Sequence, residues 1–165
     1  MSIKTGFLAE LEHEVASTRK LLEVVPLDKS DWKPHVKSMD LGSLTAHTVE
    51  LFAWIDLIMN TNELDFASSY QNPPKFSNTE AFLAYFDKHI AKSKAALENT
   101  DDAVFQENWT LRNGKYIIFT LPKIAALRTF TLNHLYHHRG QLTVYLRLLD
   151  VKLPGIYGPS ADSVN

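Results

Sequence analysis

The sequence predicts an all-α protein, an antiparallel four-helix bundle followed by a short irregular C-terminal tail. Three observations lead there. Four segments carry apolar residues at steps of three and four, the period of one helix face. Nowhere do apolar and polar residues alternate convincingly over the length of a strand. The 165 residues suit a single domain, spanning 1–165, which is long enough to bury a core without staples. Antiparallel packing of the four segments, with room for one or two long crossovers, buries all four stripes.

The first helix is expected from about Lys4 to Val25. Its stripe is Leu8, Leu11, Val15, Thr18, Leu22 and Val25, and Pro26 stops it because proline cannot continue the ladder. Leu27 to Met39 reads as a connection, with Trp32 anchoring it on the bundle. Asp40 is the expected N-cap of the second helix, whose seam is Leu44, His47, Leu51, Trp54 and Ile58 and whose end lies near Asn60 to Asn62. Thr61 to Ser77 is a polar linker containing Pro73-Pro74. It is long for a link between neighbouring helices, and crosses the bundle end or lines a cleft.

The third helix begins near Asn78 or Thr79 and runs to about Asn99, with Phe82, Phe86, Ile90, Ser93 and Leu97 as its buried stripe. Thr100 to Leu121 reads as irregular. Asn113-Gly114 marks a turn there, and the β-branched and aromatic run Lys115 to Leu121 suits a short extended piece. The last helix is expected from about Pro122 to Leu149, Pro122 fitting its first turn. Its seam is Ile124, Leu127, Thr131, His134, His138, Gln141, Tyr145 and Leu148, ordinary core at the ends and polar in the middle. Pro154, Gly155, Gly158 and Pro159 exclude helix from most of the tail.

Composition narrows the function. With 45% hydrophobic and 22% charged residues the chain is an ordinary soluble globular protein. Its net charge is −2 and its Lys and Arg form no run, so nucleic-acid binding, which depends on clustered cations, is not expected. The absence of cysteine excludes disulfides, thiolate zinc sites and thiol nucleophiles. No stretch approaches 18 uninterrupted apolar residues, and Met1 to Leu11 has no apolar core of a secretory signal. A cytoplasmic protein without membrane association is the expectation.

The chemistry lies in the histidines. His134 and His138 are four residues apart, which on a helix places both rings on one face with Cβ atoms roughly 6 Å apart. Two imidazole nitrogens can then meet one zinc-sized ion. Cobalt, nickel or ferrous iron would accept the same ligands. His47 is the best third ligand, because it alone interrupts the seam of the second helix, and bundles build metal sites between facing helices. Three imidazoles leave a coordination position open, as catalytic sites do. Taken singly, each of these histidines is more often a core residue bonded to a carbonyl or carboxylate. Three on two facing seams are harder to bury that way.

Around this trio, Gln141 and Tyr145 either floor a pocket or form a buried polar network. Glu50 reads first as a solvated carboxylate, and otherwise as a group that orients a ligand or serves as a base. His137 lies about 100° around the helix from His138 and reads as a surface, interface or ligand-supporting residue. His13, His35 and His89 have no partner at ligand spacing and read as solvated or capping.

Three stretches together resemble the DinB superfamily, which includes the YfiT-type metal-dependent hydrolases. They are Ser38 to His47 (SMDLGSLTAH), Asn133 to Gln141 (NHLYHHRGQ) and Ile156 to Asp162 (IYGPSAD). The resemblance spans almost the whole chain. It implies an antiparallel four-helix bundle with a three-His metal site, mapping onto His47, His134 and His138, that holds one divalent transition metal, often nickel or zinc. It also implies a homodimer, and a family name that carries no action on DNA. Relatives of this kind include thiol-dependent S-transferases. The expected function is a metal-dependent hydrolase or thiol-dependent transferase acting on a small molecule. The alternative is a non-catalytic metal-binding stress-response module. The tail around Tyr157 is expected near the pocket mouth or a dimer interface, or else as a plain docked terminus.

Overall fold

The computed structural model describes residues 2–68 and 73–163. Among them the helices are α1 (Ile3–Leu22), α2 (Leu41–Asn60), α3 (Thr79–Glu98), α4 (Lys123–Ala126) and α5 (Asn133–Leu148). A π-helical stretch, Leu127–Leu132, joins α4 and α5 into one rod, so four rods form the expected bundle. The first three begin at side-chain caps. Ser2 Oγ accepts from Thr5 N at 3.3 Å, Asp40 Oδ1 from Ser43 N at 2.7 Å and Asn78 Oδ1 from Ala81 N at 2.8 Å. Each satisfies a donor that the first turn leaves open. α1 stops at Leu22, three residues short of Val25, because the ring of Pro26 disfavours helical backbone at the residue before it.

α2 sits at the centre, packed against α3 and α5, and α1 packs against α3. Glu10 and Glu14 of α1 reach Arg128, Tyr136 and Arg139, which closes the ring between α1 and the fourth rod. The core holds Leu21, Leu22, Leu44, Leu51, Phe52, Phe82, Phe86 and Leu97. Burying each such side chain stabilises the fold by roughly 1.5–3 kcal/mol. The α2 and α3 stripes follow the sequence reading, save that His47 and Ile90 are only half-buried. In α1 the buried face turns slightly, to Phe7, Leu11, Glu14, Ser17, Thr18, Leu21 and Leu22, and leaves Leu8 and Val15 half-buried.

The fourth rod departs from expectation. Gln141 and Leu148, read as seam positions, are exposed. The buried positions are Leu127, Thr131 and Leu132, then Leu135, Arg139, Leu142 and Leu146. The π stretch is the physical cause. Its wider turns take up one extra residue, so beyond it the inward stripe stands one position later than a continuous 3.6-residue count gives.

A small three-stranded sheet lies outside the all-helical expectation. β1 (Glu63–Asp65) pairs parallel with β2 (Asn108–Asn113), which pairs antiparallel with β3 (Tyr116–Pro122). Only β3 falls on the stretch read as extended. β1 is three residues long and depends on a partner far along the chain, Glu63 facing Thr110, which no local pattern reveals. The Asn113-Gly114 turn is present, with Gly114 at φ 58°, a left-handed conformation that glycine adopts without a Cβ clash. Pro122 caps α4 instead of entering its first turn. Asp65 ties the strands by accepting from Gly114 N at 2.8 Å and pairing with Arg112 at 2.5 Å. The sheet carries Trp109, fully buried, into the bundle. No helix among the described residues is long and apolar enough to cross a membrane.

Candidate metal centre

The bundle brings His47, His134 and His138 together. The ring centroids are 5.1 Å apart for His47 and His134, 4.7 Å for His47 and His138, and 4.6 Å for His134 and His138. One potential ligand atom from each lies within 4.8 Å of the others. Two conditions make this possible. The four-residue spacing aligns His134 and His138 on α5, and the phase shift of the π stretch turns Leu135 and Arg139 into the core. The two histidines are left on the flank that faces α2.

The outer nitrogens are occupied. Nδ1 of His47 lies 2.8 Å from Glu50 Oε2, and Nδ1 of His138 lies 2.7 Å from Gln141 Oε1. The His134 ring bonds to the backbone of Phe130, one turn back. Carboxylate, amide oxygen and carbonyl all accept, so each ring donates its proton outward and turns a bare nitrogen inward. Nε2 of His134 and Nε2 of His138 stand 2.8 Å apart. Two lone pairs at that distance repel, and a shared cation converts the repulsion into coordination. Metal–nitrogen bonds of about 2.0–2.1 Å need only a slight opening of this pair. The donor set therefore fits a divalent transition metal, with outer partners of the kind that fix ligand orientation.

Burial lowers the basicity of His134 and His138. His134 falls from the usual 6.5 to about 4, through burial first and then through the neighbouring His138 and His47. His138 is lowered as well, chiefly by burial. Neutral imidazole is the ligand form, so His134 and His138 offer it without displacing a proton at neutral pH.

One flank of the cluster is aromatic. Trp54 stacks on Phe130 at 4.1 Å with 8° between the planes, and Trp54 meets His47 edge-on at 5.7 Å. Trp109 backs Phe130 at 5.8 Å, which is how the sheet supports the site. His137 is exposed with its ring 4.9 Å from that of His138, so it neighbours the cluster without joining it. A cleft of about 810 Å³ opens beside His47, walled by Leu27, Met39, Pro74, Phe76 and Phe82, with Lys33 among the charged residues lining it. Part of the linker read as cleft-lining, Pro73 to Ser77, does line it. A second groove of about 530 Å³ runs between α2 and α3, past Glu50, Tyr85 and His89.

Several secondary expectations need correction. Glu50 is not a solvated carboxylate. It is buried against His47, because the 3.6-residue turn carries it to the inner side of α2. His89 is neither solvated nor a cap. It packs edge-on to Tyr85, and burial lowers its pKa. His35 is exposed, accepting from Lys37 N at 3.2 Å within a turn and capping no helix, and His13 is exposed against Tyr157. Gln141 supports His138, whereas Tyr145 turns to Trp32 and Met39. Trp32 thus anchors its connection as expected. Of the tail, no described residue lines either cleft; Tyr157 bonds to Arg139 and Glu14. That buried Glu14–Arg139 pair escaped the sequence reading. Its signal was a carboxylate at Glu14, three residues after Leu11 on the apolar face.

Residues 1–164 match the DinB family, and the chain belongs to that family. It is 29% identical over 158 residues to the uncharacterized protein YrdA of Bacillus subtilis strain 168, covering 94% of this chain and 89% of that one. Its structure is similar to that of a DinB-like protein from Bacillus cereus ATCC 10987, with a TM-score of 0.71 at 24% identity, over 94% of this chain and 98% of the other. It is also similar to the DinB-like protein YjoA of Bacillus subtilis, with a TM-score of 0.68 at 17% identity, over 92% and 96% of the two chains. At these identities the structural likeness speaks to the fold.

Proposed function

We propose that this DinB-family protein is a metalloenzyme. In it His47, His134 and His138 hold one divalent transition metal, nickel or zinc, and a small organic molecule occupies the adjoining cleft. The observation that carries the proposal is the orientation of the rings. All three donate outward, to Glu50, Gln141 and the Phe130 backbone, and present bare nitrogens to one point. When bound, such an ion supplies Lewis acidity and lowers the pKa of whatever it polarises. The residues of the chain do the rest. Glu50 and Gln141 hold two ligand rings, Trp54 and Phe130 exclude water from one side, and Leu27, Met39 and Phe76 offer an apolar wall to the substrate body. Hydrolysis and transfer from a small-molecule thiol both suit this arrangement, the nucleophile being water in one case and a thiolate in the other.

Metal analysis of untagged protein is the test. Wild type is expected to hold close to one nickel or zinc per chain and His134→Ala almost none; equal, substoichiometric metal in both would sink the proposal. A non-catalytic role would need a protein group at the remaining coordination position. Glu50, the nearest carboxylate along α2, already faces the outer nitrogen of His47, which favours the enzyme reading. Pairing of two copies is part of the same proposal. Val144 and Leu148 form an exposed apolar pair on α5, and light scattering should give twice 18.8 kDa.

A further inference from the structure

Arg139 follows directly on His138 and is 2% exposed. Its Nη2 pairs with Glu14 Oε2 of α1 at 2.5 Å, and Glu14 is itself 4% exposed. Nη1 donates to Thr18 Oγ1 at 3.0 Å and to the Glu14 carbonyl at 3.4 Å. Nη2 also donates to the hydroxyl of Tyr157, which in turn donates to Glu14 Oε2 at 2.9 Å. The guanidinium lies over the rings of Tyr136 and Tyr157, 5.6 Å and 5.1 Å from their centroids. The tail that delivers Tyr157 is itself fixed. Asp162 accepts from Leu153 N at 2.9 Å and pairs with Arg147 at 2.6 Å, and Gly155 lies so close to the Gly158 carbonyl that a Cβ there would stand 2.5 Å from its oxygen.

Stability does not explain this arrangement. A buried ion pair is often matched or bettered by apolar side chains of similar volume. A polar group in the core can instead select one packing among near-equals. The fourth rod faces such a choice. With the π stretch, Leu135, Arg139, Leu142 and Leu146 point inward. Closed to a regular helix, the same rod would present His134, His138, Gln141 and Tyr145 there, a rotation of about 100°. Burial of Leu135, Leu142 and Leu146 favours the first setting, but apolar contact is non-directional and sets the rotation only coarsely. A guanidinium that finds its carboxylate, hydroxyls and rings in only one setting separates the two strongly.

We propose that Arg139, clasped between Glu14 and Tyr157, is a positioning residue that fixes the rotation of α5 and so aims His134 and His138 at His47. The tail segment Ile156 to Asp162 serves to complete the clasp. Only the second measurement below rests on the metal-site reading.

The test uses full-length wild type and Tyr157→Phe, which removes one hydroxyl from a ring that is 67% exposed. In the metal-free proteins, imidazole ¹H–¹⁵N spectra should show the His134 and His138 signals displaced in the variant and that of His35 unmoved, with His13 reporting the local change at Tyr157. On titration with Co²⁺ alone, the variant should bind about tenfold more weakly, with an altered visible absorption band. Unmoved His134 and His138 signals, together with a Co²⁺ Kd within twofold of wild type, would overturn the proposal even if the urea midpoint fell. The tail would then be a plain docked terminus. Failure of wild type to bind Co²⁺ would sink the metal reading instead and leave the spectra to decide the clasp. Should Tyr157→Phe not fold, Asp162→Asn loosens the tail at Arg147 without touching Arg139 and is read by the same two measurements.

Discussion

Glu50 Oε2 stands 2.8 Å from Nδ1 of His47, one turn along the same helix, with its carboxylate buried. An acceptor at that nitrogen fixes both the tautomer and the tilt of the ring, and makes Nε2 the basic end. The same carboxylate lines the groove between α2 and α3, so it joins the histidine cluster to that second surface. Gln141 does for His138 what Glu50 does for His47, with a neutral acceptor.

The charge on Glu50 should therefore matter to metal affinity more than to folding. Glu50→Ala is expected to weaken nickel or zinc binding by roughly 10–100-fold in a chelator competition. Glu50→Gln, which keeps an acceptor, should weaken it less. Equal affinities for wild type and Glu50→Ala would remove the carboxylate from the site.

Acid should destabilise the metal-free protein over a definite window. His134 titrates at about 4 when folded against 6.5 in the open chain, so between those values the unfolded state binds a proton that the folded state refuses. Stability is whole above about pH 6.5 and falls as pH drops toward 4. Urea midpoints measured from pH 7.5 to 4 should show a shallower fall in His134→Asn than in wild type. Parallel curves would count against a buried, neutral His134.

Breaking the buried ion pair should be costly. Arg139→Ala or Glu14→Ala strands a charge in the core, and each is expected to lose roughly 3–5 kcal/mol in urea denaturation. The double variant Glu14→Leu, Arg139→Met removes both charges and should recover most of that stability. Its Co²⁺ affinity should stay low, since packing returns but the clasp does not. A double variant as unstable as the single ones would show that the pair contributes more than charge compensation.

Trp54 offers a direct optical report. Its ring is 5.7 Å from that of His47, and Ni²⁺ has an open d shell that quenches nearby indole emission. Added Ni²⁺ should lower the fluorescence of wild type in a saturable, one-to-one manner and leave Trp54→Phe almost unchanged. Quenching of equal depth in that variant would place the ion away from the cluster.

The amino-acid pattern by itself determined the four rods, the Asp40 cap, the Asn113-Gly114 turn and the identity of the three histidines that cluster. These are local facts. A cap needs a side-chain acceptor at one position, and a seam needs apolar residues at helical spacing, so both are written in neighbouring residues. Tertiary structure decided what depends on distant partners. Glu63 becomes a strand only because Thr110 lies beside it. Glu50 becomes a ring-holding group only because His47 is turned toward α5. Arg139 enters the core only because the π stretch advances the stripe by one residue and Glu14 waits on α1 to receive it. A 3.6-residue count carried through that stretch names the two ligand-spaced histidines correctly but gives them the wrong neighbours. The extra residue in the turn is a choice made by packing between helices, and the sequence of the rod alone does not contain it.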